Sequence, residues 1–162
     1  SADHGPGQGS LVALKCMKRA NEAERVNFQT EALLLKALRH PNVVACYGCV
    51  QLSIAQRLSM MGGQQQDDDL SDLMFMQEYC AGGTLLDKVN RPRSYTAMDS
   101  LQWLGDITRG MAYLHSQPEM RITHRDLKLE NILLNDKGVA KVADFGLSRL
   151  IVGDGRSLDS RE

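Results

Sequence analysis

Apolar residues along the chain fall into short runs and longer periodic stripes. Leu11-Val12-Ala13-Leu14 is a compact run that ends at Lys15 and predicts a buried strand. From about Asn21 to Leu38 the spacing becomes helical, with Phe28, Leu35 and Leu38 on one face and Leu34 beside them. Glu31, three residues after Phe28 and four before Leu35, falls inside that stripe. A carboxylate there needs a partner, because burying an unpaired charge costs several kcal/mol. His40-Pro41 ends the helix. Val43 to Val50 predicts a second strand, and residues 51–72, rich in Gly, Gln and Asp, read as a flexible insertion. Leu73 to Tyr79 predicts a third strand, broken by Cys80-Ala81-Gly82-Gly83, and Thr84 to Val89 one or two helical turns.

Thr96-Ala97-Met98-Asp99 fits a capping box, and Leu101, Leu104, Ile107, Met111 and Leu114 predict one apolar stripe on the helix behind it. Ile132-Leu133-Leu134 and Val139 to Ala143 flank Asn135-Asp136-Lys137-Gly138, the signature of a hairpin. After Gly146 the chain turns polar.

Composition narrows the classes. With 162 residues, 43% apolar and 24% charged, the chain has the makeup of one globular domain. A net charge of −1 supplies no global field for nucleic acid, and no nucleic-acid partner is expected. No apolar run approaches the ~20 residues of a membrane helix, and a cytoplasmic location is expected. Cys46-Tyr47-Gly48-Cys49 is a lone C-x-x-C; zinc would want a second ligand pair. Residues three apart in an extended segment also point to opposite faces, so two ordinary reduced cysteines are expected.

The run His124-Arg125-Asp126-Leu127-Lys128-Leu129-Glu130-Asn131, followed by Asp144-Phe145-Gly146, resembles the catalytic core of the protein kinases. Val12-Ala13-Leu14-Lys15 and the helical Glu31 precede it in the family's order. Further stretches are similar to the tyrosine-kinase-like group: His40-Pro41-Asn42-Val43-Val44, Gly82-Gly83-Thr84-Leu85 and Tyr113-Leu114-His115-Ser116.

The resemblance implies an α+β, two-lobed fold. Residues 1–79 would form a small antiparallel-sheet lobe with one helix and the 51–72 insertion. Residues 80–83 would be the hinge, and 84–162 the first part of a helical lobe. It implies an ATP-dependent kinase of protein Ser/Thr hydroxyls; Lys128 favours these over Tyr. Lys15 and Glu31 would form the ion pair beside the ATP α- and β-phosphates. Taken singly, Lys15 reads equally as a solvated strand end and Glu31 as a snorkelling surface residue. Asp126 matches the catalytic base, and Lys128 the cation facing the moving γ-phosphoryl. Asn131 and Asp144 match the Mg²⁺ ligands, oxygen donors suited to a hard cation.

Met76 to Cys80 resembles the adenine-binding hinge. Gln77 would be the gatekeeper, with the Glu78 carbonyl and Cys80 amide on the adenine edge. Ala13 and Leu133 would sandwich the ring, and Thr84 would touch the ribose. Leu35, Cys46, His124 and Phe145 match the family's regulatory spine. Ser157 and Ser160, at the start of the activation segment, are candidate targets of an upstream kinase or simple polar loop residues.

The resemblance also implies that the domain is represented in part. Gly5-Pro6-Gly7-Gln8-Gly9 lacks the family's phosphate-loop spacing, and Pro6 removes an amide that could cradle phosphate. No Ala-Pro-Glu comes after Asp144-Phe145-Gly146. The Leu104, Ile107 and Met111 stripe is then expected to face water in part. Two functional readings are open: the core of an active kinase, or a catalytically inactive truncated or pseudokinase-like binding module. Retention of Lys15, Glu31, Asp126, Asn131 and Asp144 favours the first.

Overall fold

The computed structural model describes residues 11–18, 21–53, 56, 59, 70–117, 120–144, 149–152 and 157–158. They divide into two compact units, Ser1–Leu38 with Ala45–Tyr79, and Arg39–Val44 with Cys80–Glu162.

The first unit is a three-stranded antiparallel sheet with one helix. Strand β1 (Val12–Lys18) leads to α1 (Glu22–Ala37), then β2 (Cys46–Gln51) and β3 (Leu70–Glu78), in the sheet order β1-β3-β2. The long β3 is central because Leu73, Met74 and Phe75 are apolar toward both faces, and all three are buried. The edge position of β1 explains why Val12 to Leu14 are half-buried rather than buried as expected, with Leu11 exposed. The insertion is shorter than its polar composition implied: Gln51 closes β2, and 70–72 already belong to β3. Phe28 of α1 stacks on Phe75 at 3.8 Å, and Ala32, Leu35 and Leu38 are buried.

Register assigns faces. Ala13 and Cys46 both oppose Gln77, and Lys15 and Cys49 both oppose Phe75. Cross-strand partners share a face, so all six side chains lie on the Phe75 face, against which α1 packs. A bulge between Cys46 and Gly48 produces this arrangement. It inserts one extra residue and re-aims the side chains after it, and Gly48 takes φ +126, open to glycine without strain. Cys46 and Cys49 therefore share a face. That corrects the opposite faces expected of an unbroken strand.

The second unit is built around its longest helix. Chain order gives β4 (Gly83–Thr84), α2 (Leu85–Asn90), α3 (Ala97–His115), β5 (Met120–Thr123), a 3-10 turn (Leu129–Asn131), β6 (Ile132–Leu134), β7 (Ala140–Val142), β8 (Arg149–Val152) and β9 (Ser157–Leu158). They form two three-stranded sheets, β4-β6-β7 and β5-β8-β9. The capping box is present: Asp99 N–H donates to Thr96 Oγ1 at 3.2 Å, and Thr96 N–H to Asp99 Oδ2 at 2.7 Å. The Thr96 hydroxyl, donating to Asp99 Oδ2 at 2.7 Å, and then the Thr96 N–H hold the Asp99 carboxyl below its ordinary range.

Val43 and Val44 do not join β2 as expected. Val44 N–H donates to the Val142 carbonyl and Val142 N–H to the Asn42 carbonyl, each at 2.9 Å, extending the β7 edge. The same segment is fastened to α3: Arg39 N–H donates to the Tyr113 hydroxyl at 2.8 Å, and His40 stacks on Tyr113 at 4.8 Å. Burial, reinforced by the cations Arg109 and Lys141, lowers the His40 pKa.

The buried face of α3 is Trp103, Asp106, Gly110 and Leu114, whereas Leu101 and Leu104 are each 62% exposed. Ile107 and Met111 are half-buried, so the expected stripe is uncovered at its N-terminal end. Asp106 is only 4% exposed. Its Oδ2 accepts Ala140 N–H at 2.9 Å, and Arg109 donates to its Oδ1 at 2.5 Å. Arg109 Nε reaches Asn42 Oδ1 at 3.3 Å, and Asn42 Nδ2 donates to the Ala140 carbonyl at 3.0 Å. Two side chains thus satisfy both backbone groups of Ala140. Asp106→Ala leaves a buried N–H without its acceptor and is expected to destabilise the chain by about 1–3 kcal/mol. Asp106→Asn keeps a carbonyl acceptor and should lose less. Urea unfolding of the two variants checks the order, and equal losses would remove the Ala140 bond from the account.

Candidate active site

The second unit brings four of the sequence-predicted residues together. His124 comes directly after β5 and is 1% exposed. Its Nδ1 accepts Asp126 N–H at 3.4 Å, so Nε2 carries the ring hydrogen and donates to the Ala143 carbonyl at 2.7 Å. The imidazole thereby ties the loop after β5 to the residue just past β7.

Asn131 closes the 3-10 turn and is 5% exposed. Its Nδ2 donates to the Asp126 carbonyl at 2.8 Å and to Asp126 Oδ2 at 3.0 Å. Both acceptors are oxygens, which fixes the amide orientation. The Asn131 carbonyl accepts Ala143 N–H at 2.9 Å. Lys128 Nζ lies 2.9 Å from the same Asp126 Oδ2.

Asp126 therefore has one engaged oxygen and one that accepts no hydrogen bond among the described residues. The Lys128 hydrogen bond, helped by Asn131, holds the Asp126 carboxyl below the usual carboxylate range. In return the Asp126 carboxylate raises the Lys128 ammonium. Lys128 is exposed and Asp126 half-buried, so solvent screens the pair and little fold stability is attached to it.

Arg125 (φ +63) and Asp144 (φ +58) are two of the three non-glycine positive-φ residues among those described. Such backbone persists where surrounding bonds over-determine it. Here the His124, Asn131 and Ala143 bonds bracket both positions. Asp144 is exposed, one residue beyond the doubly anchored Ala143. The Asp144 carboxylate and the Asn131 Oδ1 are hard oxygen donors of the kind that could hold Mg²⁺.

The remaining predicted residues are placed by strand register. In the first unit Ala13 opposes Gln77 and Val12 opposes Glu78. Glu78 N–H donates to the Ala45 carbonyl at 2.9 Å, and Glu78 Oε2 accepts Ala45 N–H at 3.2 Å, a double clamp on the start of β2. Lys15 is exposed on the Phe75 face. Glu31 lies on α1, but its side chain, and so the Lys15–Glu31 ion pair, falls outside the described residues.

In the second unit Thr84 opposes Leu133, and Leu133 packs on a core of Val44, Cys80 and Ala143. The Thr84 hydroxyl caps α2: it accepts Asp87 N–H at 3.0 Å and donates to Asp87 Oδ2 at 2.6 Å. Leu35 and Cys46 are buried in the first unit and His124 in the second; Phe145 lies outside the described residues. So does Ser160, while Ser157 starts β9 and its side chain is not described.

The sequence reading missed Asn42, Asp106 and Arg109 as the set that fixes β7. Asp106 offered the signal that singled out Glu31, a carboxylate on a helix face, but the larger leucines at 101 and 104 drew the stripe elsewhere. It also missed β8, although Leu150-Ile151-Val152 is a β-prone apolar run.

A family model for the protein kinase domain matches residues 5–161. Among similar curated proteins of Arabidopsis thaliana is leaf rust 10 disease-resistance locus receptor-like protein kinase-like 1.2, 35% identical over 152 residues, covering 90% of this chain and 20% of that protein. Serine/threonine-protein kinase CTR1 is 37% identical, covering 88% of this chain and 16% of that protein. Calmodulin-binding receptor-like cytoplasmic kinase 3 is 35% identical, covering 87% and 25%. The chain spans between 16% and 25% of the length of these relatives.

Proposed function

The chain belongs to the protein kinase family, and on that premise we propose that it carries the phosphoryl-transfer core of an ATP-dependent protein serine/threonine kinase. The observation that carries this reading is the Asp126 carboxylate with one oxygen held by Lys128 and Asn131 and the other free.

The free oxygen accepts the hydrogen of an incoming Ser or Thr hydroxyl and aims its lone pair in line with the γ-phosphoryl. Phosphoryl transfer has a loose transition state, so the proton leaves late and orientation matters more than basicity. A carboxylate of lowered pKa suits that task because it is ionised throughout the neutral range. Lys128 holds this geometry and places a cation beside the moving phosphoryl group. Asn131 and Asp144 would hold Mg²⁺, which supplies charge neutralisation at the phosphates. The Asn131 amide holds the base through Nδ2, so the same side chain would orient both the base and the metal.

Lys15 binds the ATP α- and β-phosphates, paired with Glu31. Ala13, Gln77, Glu78, Cys80, Thr84 and Leu133 bind the nucleoside, with the Glu78 carbonyl and Cys80 amide on the adenine edge. The clamp on Ala45 supports this role for Glu78 by fixing the backbone at the end of β3. The Thr84 hydroxyl, already capping α2, can meet the ribose through its remaining lone pair. We place the reaction in the cytoplasm, where ATP is abundant. No helix among the described residues is long and apolar enough to cross a membrane.

In the full-length protein, Lys15→Met is expected to lower transfer on the order of a hundredfold, the scale of removing one preorganised charge-stabilising group. Its far-ultraviolet circular dichroism and Tm should match the wild type, because Lys15 is exposed. A normal rate in a folded variant would remove Lys15 from its role.

A further inference from the structure

The kinase reading leaves the outer edge of β7 without a role. That strand has β6 on one side and the Asn42–Val44 segment on the other. Val43 bridges Val142 in parallel, and both backbone groups of Val142 are bonded to this segment. Continuing the same pairing would give the Ala140 N–H the His40 carbonyl, and the Ala140 carbonyl the Asn42 N–H. Both are already engaged. The His40 carbonyl accepts Val43 N–H, and Asn42 N–H donates to His40 Nδ1, each at 3.1 Å.

The segment turns away at this point, and the side chains of Asp106 and Asn42 replace its backbone at Ala140. Ala140 is wholly buried, so water cannot substitute for them. One guanidinium, that of Arg109, bonds both side chains and orients them together.

Beyond Val142 the strand runs directly into the candidate site. Ala143 N–H donates to the Asn131 carbonyl, and the Ala143 carbonyl accepts from His124. Asp144 comes next, at φ +58. Ala140 and Asp144 each lie two residues from Val142. Without Asp106, β7 loses one of its points of hold on the outer edge and can pivot about Val142. A pivot moves the two ends in opposite senses and stretches both Ala143 bonds, one of them to Asn131. Functional constellations tolerate displacements of only about 0.5 Å. On the kinase reading, we propose that Asp106 is a positioning residue for Asp144, fixing through β7 the place where that carboxylate meets Mg²⁺.

The test separates metal binding from nucleotide binding. The ADP affinity of the full-length protein is measured by isothermal titration calorimetry with Mg²⁺ and with EDTA, well below the Tm of each variant. The wild type should bind more tightly with Mg²⁺. In Asp106→Ala that gain should shrink on the order of tenfold, the lower end of the range for residues that support metal ligands. Its affinity in EDTA should be unchanged. Asp106→Asn should recover most of the gain, because its carbonyl oxygen can accept Ala140 N–H and the mostly exposed Arg109 can turn from its amide. Thr96→Ala removes the cap of α3 and lowers Tm, but should keep the full gain. Amides from Ala140 to Asp144 should exchange hydrogen faster in nucleotide-free Asp106→Ala than in the wild type. Should Asp106→Ala not fold, Arg109→Lys decides: it keeps a cation beside Asp106 but cannot bond Asp106 and Asn42 together. A several-fold smaller gain supports the proposal, and a full gain overturns it. A full gain in Asp106→Ala, an equal loss in Asp106→Asn or Thr96→Ala, or unchanged exchange would also overturn it while leaving the kinase reading standing. Wild-type protein that binds no ADP, or gains nothing from Mg²⁺, would overturn both.

Discussion

Asp126→Asn in the full-length protein is expected to lower phosphoryl transfer by roughly 10²–10⁴-fold, the range supplied by a positioned general base. The loop should survive the change. Lys128 Nζ and Asn131 Nδ2 both donate to Asp126 Oδ2, so an Asn at 126 is pulled round until its carbonyl oxygen faces them. Its amide NH₂ then occupies the place of the free carboxylate oxygen. A hydroxyl arriving there meets a donor instead of an acceptor, and neither its lone pair nor its proton is handled. Steady-state kcat should collapse while Tm moves little, since the altered group is a third exposed and its pair with Lys128 is screened by solvent. The wild-type pH profile carries the same information. Because Lys128 and Asn131 hold the Asp126 carboxyl below the ordinary ~3.9 of an aspartate, it stays ionised from pH 5 to 8. Asp126 should therefore contribute no acid limb in that window. A limb near pH 6 that disappears in Asp126→Asn would contradict the assigned environment.

The second large effect concerns stability and pits two glycines of one helix against each other. A Cβ at Gly110 would stand 2.5 Å from the Asn42 carbonyl oxygen and 3.1 Å from Val142 Cγ2. The first obstacle is backbone, already accepting Val142 N–H, so it cannot step aside without breaking the β7 edge. Gly→Ala in a helix gains about 1 kcal/mol of propensity. Overpacking of about 1–3 kcal/mol, plus about 1 kcal/mol for a weakened hydrogen bond, outweighs it. Gly110→Ala is expected to lower Tm by several degrees, at ~2–4 °C per kcal/mol for a chain of this size. Gly105→Ala is the opposite case. Its Cβ would meet only the end of the Arg109 side chain, at 3.2 Å. Arg109 Nη1 needs to give only a few tenths of an ångström while its Nη2 and Nε keep their bonds to Asp106 and Asn42, so Tm should fall far less than in Gly110→Ala. Differential scanning calorimetry of both variants decides the matter. Equal shifts would show that the approach of Asn42 to α3 is looser than described.

The residues proposed for the chemistry stand out in the sequence because the proposed reaction demands their types and spacing. Asp126, Lys128 and Asn131 stand close enough in sequence for one loop and one 3-10 turn to bring them together. The capping box at Thr96, the helix over Glu22–Ala37 and the hairpin at Asn135 to Gly138 were legible for a local reason: each depends on a few neighbouring side chains. What the sequence hid depends on distant partners. Val43 and Val44 carry strand-forming side chains, but which strand they join is decided by the backbone of Val142, about a hundred residues away. The buried face of α3 was misjudged because a helix shows two apolar arcs, and only packing reveals which is covered. The bulge in β2 leaves one trace in sequence, Gly48 inside a strand, and glycine there is consistent with several backbone paths. Yet that one residue decides whether Cys46 and Cys49 share a face.

The central claim is that these residues transfer the γ-phosphoryl of ATP to Ser and Thr hydroxyls. Its most direct test incubates the full-length protein with Mg²⁺, a basic protein substrate and ATP radiolabelled at the γ-phosphoryl. The labelled product is then hydrolysed and its phosphoamino acids are separated. The account predicts label in phosphoserine and phosphothreonine that vanishes with Asp126→Asn. Label confined to phosphotyrosine, no label at all, or label undiminished by that substitution would contradict it.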